Sequence, residues 1–109
     1  MKTYHGRRTE YGCAVDVEEN GEVYCLDLRQ DLKNHSPCGA EWGYSGSGPA
    51  QLALALAADV LGDDDQALQI HQRLKFKLVG GLAHEGWVLT EDRVRSAIDD
   101  IRQEQCHRR

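Results

Sequence analysis

The residues best suited to hold a ligand lie in a glycine-rich stretch in the middle of the chain. The run Gly46-Ser47-Gly48-Pro49 stands directly before a strongly apolar segment that we expect to be helical. The first N–H groups of a helix have no partner within the helix, and the helix dipole adds a positive potential there. This arrangement favours an anion, so the pattern predicts a cradle for a phosphate group.

Two aromatic residues precede this predicted cradle. Trp42 and Tyr44 have flat amphipathic faces that can stack on a base, which indicates a nucleotide-like ligand. We expect an arginine from the sheet side to approach the phosphate, with Arg7, Arg8 and Arg29 as the candidates. The predicted ligand-binding residues are His35, Trp42, Tyr44, Ser45, Gly46, Ser47, Gly48 and Gln51.

The same stretch has a purely structural interpretation. Ser47 would then cap the buried helix, while Trp42 and Tyr44 would cover its apolar end. The glycines would only permit a tight turn. The sequence leaves the ligand-binding and the structural interpretations open.

None of the well-known catalytic or cofactor motifs fits this stretch. Gly48 is not followed by the lysine of a phosphate-binding loop, and Gln51 replaces the third glycine of the dinucleotide fingerprint. Ser45 lacks the second glycine of a G-x-S-x-G nucleophile elbow. His35 and Cys38 form one H-x-x-C pair, but no second pair is spaced to complete a zinc site. We therefore predict no catalytic residue, no metal and no cofactor.

A β-hairpin is predicted within residues 13–28. Asn20-Gly21 separates two alternating segments, and both residues suit the positive φ of a two-residue turn. Such a turn pairs Val17 with Tyr24 and places the apolar side chains of both strands on one face. Residues 1–8 are expected to add a neighbouring strand.

The predicted register also bears on the cysteines. It places Cys25 opposite Asp16, on the other face of the hairpin from Cys13, so these two thiols cannot bridge. No C-x-x-C pair is present among the four cysteines. We expect free thiols.

Three helices are expected to follow a glycine-rich loop at residues 30–48. The first consists almost entirely of alanine and leucine, which indicates a central buried helix. Gly62 would end it, Asp63 or Asp64 would cap the second helix, and Thr90 would open the third. His71 lies on the apolar face of the second helix, where a histidine is usually a satisfied core residue. The helices are predicted at residues 49–61, 64–79 and 91–105, with 86–89 as a short strand or an extended link.

These elements predict the fold class. We expect an α+β protein in which a small antiparallel sheet with an N-terminal hairpin packs against about three helices. The 109 residues fit a single domain spanning residues 1–109.

Composition excludes several classes of function. The formal net charge of −5 opposes direct binding to nucleic acid. The longest apolar run, at residues 52–58, is far shorter than the roughly 20 residues of a membrane span. No apolar stretch follows the basic N-terminus, so a secretory signal is not indicated and we expect a cytoplasmic protein.

One long motif begins with His35-Ser36-Pro37-Cys38-Gly39 and continues with Trp42-Gly43-Tyr44-Ser45-Gly46-Ser47-Gly48-Pro49-Ala50-Gln51-Leu52-Ala53-Leu54-Ala55. This motif closely resembles the core of a microbial and phage family of unknown function, DUF6166. The segments Tyr4-His5-Gly6-Arg7 and Leu74-Lys75 through Trp87-Val88-Leu89-Thr90 resemble it too. Ala40 and Leu74 depart from the family, which more often has aromatic residues there. The resemblance implies an origin among phages, plasmids and their hosts, where small acidic proteins often act by binding.

We therefore expect a small binding protein rather than an enzyme. It would sequester a phosphate-bearing ligand, such as a signalling nucleotide in phage defence, at the glycine-rich helix start. The alternative is an acidic protein-binding inhibitor of a host defence nuclease, comparable to an anti-CRISPR protein. The expected partner is thus a phosphate-bearing small molecule or a host protein, with homo-oligomerisation left open.

Overall fold

The computed structural model describes residues 1–37 and 39–107, and within them it has the expected α+β architecture. A four-stranded antiparallel sheet packs against three α-helices. The elements, in chain order, are β1 (Lys2–Thr9), β2 (Gly12–Glu19), β3 (Glu22–Cys25), α1 (Ser47–Leu61), α2 (Asp64–Lys77), a 3-10 turn (Val79–Gly81), β4 (Gly86–Thr90) and α3 (Glu91–His107).

The predicted hairpin is confirmed as β2–β3. Asn20 and Gly21 have φ values of 54° and 85°, as a tight two-residue turn requires, and Val17 pairs with Tyr24. The second strand is shorter than expected, because it ends at residue 25 rather than 28. Leu26 still donates its N–H to the carbonyl oxygen of Val15, at 3.0 Å, before the chain leaves the sheet.

Two cysteines lie within this hairpin. Cys25 pairs with Asp16 as predicted, and both Cys13 and Cys25 are free thiols. Cys38 lies outside the described residues, and the structure does not describe the side chain of Cys106.

Two further strands complete the sheet, in the order β3-β2-β1-β4. β1 confirms the neighbouring strand expected at residues 1–8: it pairs antiparallel with β2 through a second hairpin, whose turn is held by the Thr9 hydroxyl. β4 is a strand rather than an extended link, and it pairs with β1. One face of the sheet packs against the helices through Tyr4, Val15, Val17, Trp87 and Leu89.

α1 is the central helix of the fold. Twelve of its residues are buried, in agreement with the predicted apolar core helix. Gly62 ends it in a left-handed conformation with a φ of 64°, and only Gly62 and Asp63 separate it from α2. This short connection makes α1 and α2 antiparallel neighbours, so the end of α2 lies beside the start of α1.

The helix boundaries differ from the predictions by two residues each. α1 begins at Ser47 rather than at residue 49, and α2 ends at Lys77 because the chain then tightens into the 3-10 turn. α3 continues to His107 rather than to residue 105. The expected caps are present: Asp63 accepts the N–H of Gln66, and the Thr90 hydroxyl accepts the N–H of Arg93.

Sheet and helices share one hydrophobic core cluster. No helix in the described part of the chain is long and apolar enough to cross a membrane.

Candidate functional site

The N-terminus of α1 has no side-chain cap. Its N-cap residue is Gly46, and Ser47 is the first helical residue, so the serine does not cap the helix as the structural interpretation required. Pro49, in the third helical position, has no N–H to offer. Ala50 donates its N–H to the carbonyl oxygen of Gly46, at 3.0 Å, whereas the N–H groups of Ser47 and Gly48 have no acceptor among the described residues.

Two side chains lie against this helix start. The ring of Tyr44 lies so close to Gly46 that a Cβ built there would be 2.8 Å from Cε2 of the ring. The Tyr44 hydroxyl oxygen is 3.3 Å from the equivalent Cβ position on Gly48, and Cβ of Glu41 is 2.5 Å from it. The absence of a side chain at Gly46 and Gly48 therefore lets Tyr44 and Glu41 pack closely against the helix start. Neither glycine has a positive φ.

Tyr44 remains accessible beside the unpaired N–H groups. The residue is 52% exposed, and Ser45 and Ser47 on either side of Gly46 are exposed as well. The main chain before Tyr44 is held by the Gly43 N–H, which donates to the Val79 carbonyl oxygen at 3.2 Å. The helix start thus combines two backbone N–H groups without a described acceptor, on the exposed Ser47 and the buried Gly48, with two serine hydroxyls and one tyrosine.

Glu41, which precedes this segment, forms an ion pair with Arg8. Its carboxylate accepts two hydrogen bonds from the Arg8 guanidinium, at 2.9 and 3.1 Å, and one from the Trp42 N–H at 3.1 Å. These hydrogen bonds, those from Arg8 above all, lower the pKa of Glu41 to about 2. The guanidinium also lies over the Trp42 ring, 5.0 Å from its centroid.

Trp42 is a core residue, which differs from the expectation that it stacks on a ligand. The residue is 1% exposed, and its indole N–H donates to the His84 carbonyl oxygen at 3.1 Å. Its ring meets Trp87 edge-on, with the centroids 5.4 Å apart. A ligand cannot reach this ring in the folded protein, so of the predicted aromatic pair only Tyr44 is available.

The arginines expected to approach a phosphate already have partners. Arg8 binds Glu41, Arg7 pairs with Asp16, and Arg29 is held by two carboxylates, Asp31 and Asp64. Their charges are compensated within the protein.

Gln51 supports the loop from inside. The residue is fully buried, its side-chain oxygen accepts the N–H groups of His35 and Ser36, and its NH₂ group donates to the Leu28 carbonyl oxygen at 2.6 Å. A buried amide with these partners is satisfied by backbone groups. Gln51 therefore holds the loop rather than facing solvent.

His35 lies in a different group from the residues at the helix start. Its Nε2 is 2.9 Å from Nε2 of His71 on α2, and the ring centroids are 5.1 Å apart. The eight predicted site residues thus divide into a helix-start group (Tyr44, Ser45, Gly46, Ser47, Gly48), a loop support (His35, Gln51) and a core residue (Trp42).

Glu41 was not singled out from the sequence, and its ion pair with Arg8 was not predicted. Glu41 and Arg8 are separated by 33 residues, and no local pattern links them. His71 was placed correctly on the buried face of the second helix, but its partner could not be known. Among the described residues no group of three or more potential metal ligands is present, and Cys38 of the H-x-x-C pair lies outside them.

The comparisons with known proteins identify the family alone. The chain belongs to the family of unknown function DUF6166, which matches residues 4–100. No curated protein and no solved structure matches the chain.

Proposed function

We propose that this protein binds a phosphate-bearing small molecule at the N-terminus of α1. The observation that carries the proposal is the uncapped helix start, where the N–H groups of Ser47 and Gly48 are unpaired beside the half-exposed Tyr44. Unpaired N–H groups and the positive end of the helix dipole both attract an anion. Ser45 and Ser47 supply hydroxyl donors, and the Tyr44 ring supplies a surface for a base or another flat group.

A nucleotide used as a signal fits this description, because it combines phosphates with one flat ring system. Tyr44 is the one exposed aromatic residue described at this helix start, so base recognition would be loose and the phosphate would supply most of the affinity. The protein would act as a sequestering agent in the cytoplasm, with an anti-defence role if it is phage-encoded.

A thermal-shift panel of nucleotides and inorganic phosphate is the first test. A ligand that binds only the folded state stabilises it by mass action, at about 2.7 kcal/mol when present at 100 times its dissociation constant. We expect at least one phosphate-bearing compound to raise the unfolding midpoint by several degrees.

Ser47→Asp localises the binding site. A carboxylate in the first turn favours the helix dipole, so the fold should be retained, but it repels an anionic ligand. We expect the affinity of the ligand found in the panel to fall at least about tenfold, equivalent to about 1.4 kcal/mol. Ser96→Asp on α3 makes the same charge change at an exposed position away from this helix start. Equal binding by wild type and Ser47→Asp would overturn the proposal.

The alternative proposal, a protein-binding inhibitor, is favoured by one other surface. The sheet face opposite the helices carries the exposed Val23 and Val88, at 66% and 62% exposure, around the ion pair between Arg7 and Asp16. If no compound in the panel shifts the midpoint while one host protein copurifies in stoichiometric amount, the alternative replaces the ligand-binding proposal.

A further inference from the structure

An open groove of about 500 Å³ lies between α2 and α3. It is lined by Arg73, Phe76 and Lys77 from α2 and by Ile101 and Glu104 from α3. The three residues of α2 have i, i+3 and i+4 spacing, so they share one face of that helix, and the two residues of α3 are likewise three positions apart. The groove is therefore formed by one stripe of side chains from each helix.

Phe76 is the apolar wall of this groove. The residue is 67% exposed, whereas Ile101 across the groove is buried in the hydrophobic core. The Lys75 ammonium lies 4.3 Å from the centroid of the Phe76 ring, and the ring still remains largely open to solvent. An apolar side chain that enters the groove would remove part of this ring from water, which is favourable. Phe76 therefore offers an anchor for one large apolar side chain.

The charges around the Phe76 ring are mostly positive. Lys77 pairs with Glu104 at 2.9 Å, and Lys75 lies against the ring. Arg73 has no ion pair or hydrogen bond among the described residues. Three cations thus stand beside one carboxylate, in a chain whose formal net charge is −5. An incoming segment complements this surface electrostatically if it carries carboxylates.

We propose that this groove docks an acidic segment of a partner protein, with one large apolar side chain of that segment against Phe76 and one carboxylate on the Arg73 guanidinium. The guanidinium fork binds a carboxylate through two parallel N–H···O bonds. Aromatic residues and arginine are also the residue types enriched at protein interfaces. A groove between two helices is a common surface for such a segment, whose apolar side chains enter it at helical spacing.

Other occupants of the groove complement its charges less well. Arg108 and Arg109, at the end of this chain, are themselves basic and would bring like charge to a positive surface. A nucleic acid would supply negative charge, but it would approach against the net charge of −5 of the whole chain. A nucleic acid and a second copy of this chain are therefore the competing outcomes of the test.

This proposal does not rest on the proposed function, because none of residues 44–48 lines the groove. The two proposals can therefore fail separately. Ser47→Asp is expected to leave peptide binding unchanged, and Arg73→Glu is expected to leave the binding of a phosphate-bearing ligand unchanged.

The test selects binders for the full-length protein from a phage-displayed library of random short peptides, and it measures the affinity of the enriched peptides by fluorescence anisotropy. We expect the enriched peptides to have a net negative charge and one Leu, Phe or Trp flanked by Asp or Glu. Their affinity should fall as salt is added, because ions screen exposed charges. Absence of enrichment, or enrichment of neutral or basic sequences, would overturn the proposal.

Two variants place the peptide on the groove. Phe76→Ala and Arg73→Glu change exposed residues, so both should keep the fold, which urea unfolding checks. Each is expected to weaken binding of the selected acidic peptide at least about tenfold. Tyr11→Ala, at an exposed aromatic residue in the turn between β1 and β2, and Arg93→Glu, at an exposed arginine near the start of α3, are the matched controls and should bind like the wild type.

Three results would overturn the proposal at this stage. The first is unchanged peptide binding by the folded Phe76→Ala and Arg73→Glu variants. The second is self-association of the wild type in sedimentation experiments that Phe76→Ala abolishes, which would assign the groove to a second copy. The third is tighter binding of a single-stranded oligonucleotide than of the selected peptides, lost in Arg73→Glu, which would assign it to a nucleic acid.

Discussion

The indole ring of Trp87 occupies the space that a side chain on Gly6 would need. A Cβ built on Gly6 would lie 2.2 Å from Cε2 and 2.4 Å from Nε1 of the ring, far closer than atoms in contact. Gly6 and Trp87 are register partners on β1 and β4, so the ring lies flat across the neighbouring strand. Close approach of a large ring, and not a special backbone conformation, is what requires glycine at this position.

Gly6→Ala should therefore destabilise the protein. The added methyl group forces the Trp87 ring out of its place in the core, and such overpacking costs about 1–3 kcal/mol. Urea unfolding measures the loss. Gly81→Ala is the control, because a Cβ on Gly81 meets no atom within 4 Å. Similar stabilities for the two variants would show that the sheet opens to accommodate the methyl group.

The two tryptophans differ in their hydrogen bonding, which gives a second prediction. The indole N–H of Trp42 is bound to the His84 carbonyl oxygen, whereas the buried N–H of Trp87 has no partner among the described residues. Trp42→Phe breaks a bond and should cost about 1 kcal/mol more than Trp87→Phe, which removes an unsatisfied polar group. Chemical denaturation of both variants measures the difference, and the reverse order would contradict it.

The sheet and helices could be predicted because their signals are local. Asn20-Gly21 specifies a turn by its φ values, and the alternation around it specifies the register. The alanine and leucine run of α1 is too apolar for any place but the core. The ends were less well predicted: α2 stops at Lys77, where the chain tightens into the 3-10 turn, and no residue within the helix indicates this end.

The candidate site was predictable only in part. The glycines and serines before α1 indicate a helix start from spacing alone, but the burial of Trp42 depends on Trp87, Arg8 and His84. These partners lie far away in the sequence and are brought together only by the sheet. An aromatic residue beside a glycine-rich turn looks the same in the sequence whether it faces solvent or core.

Gln51 gives a third prediction, which separates support of the loop from contact with a ligand. Gln51→Ala leaves three partly buried backbone groups without their partner and should destabilise the protein by about 2 kcal/mol. Hydrogen exchange should show faster exchange of the His35 and Ser36 amides. Because this effect is structural, it should appear without any ligand.

Gln72→Ala is the matched control for this change, since Gln72 is exposed on α2. It should leave both the stability and the exchange rates near those of the wild type. Unchanged exchange at His35 in Gln51→Ala would show that the loop is held by other contacts.

The ion pair between Glu41 and Arg8 predicts how stability depends on pH. The pKa of Glu41 is lowered from 4.5 in the unfolded chain to about 2 in the folded protein. A carboxylate with a lowered pKa stabilises the folded state above its unfolded pKa, and this contribution is lost as the pH falls from about 5 to about 2. Since a third of the side chain is exposed, solvent screening reduces the contribution to about 1–2 kcal/mol.

Glu41→Gln isolates this contribution. At pH 7 the variant should be less stable than the wild type by that amount, and the difference should shrink as the wild-type carboxylate becomes protonated between pH 5 and pH 2. Urea unfolding at several pH values measures it, with Glu10→Gln as the control because Glu10 lies exposed in the turn between β1 and β2 and has no ion pair among the described residues. A stability difference for Glu41→Gln that stays constant from pH 7 to pH 2 would contradict a stabilising contribution from the charge of Glu41.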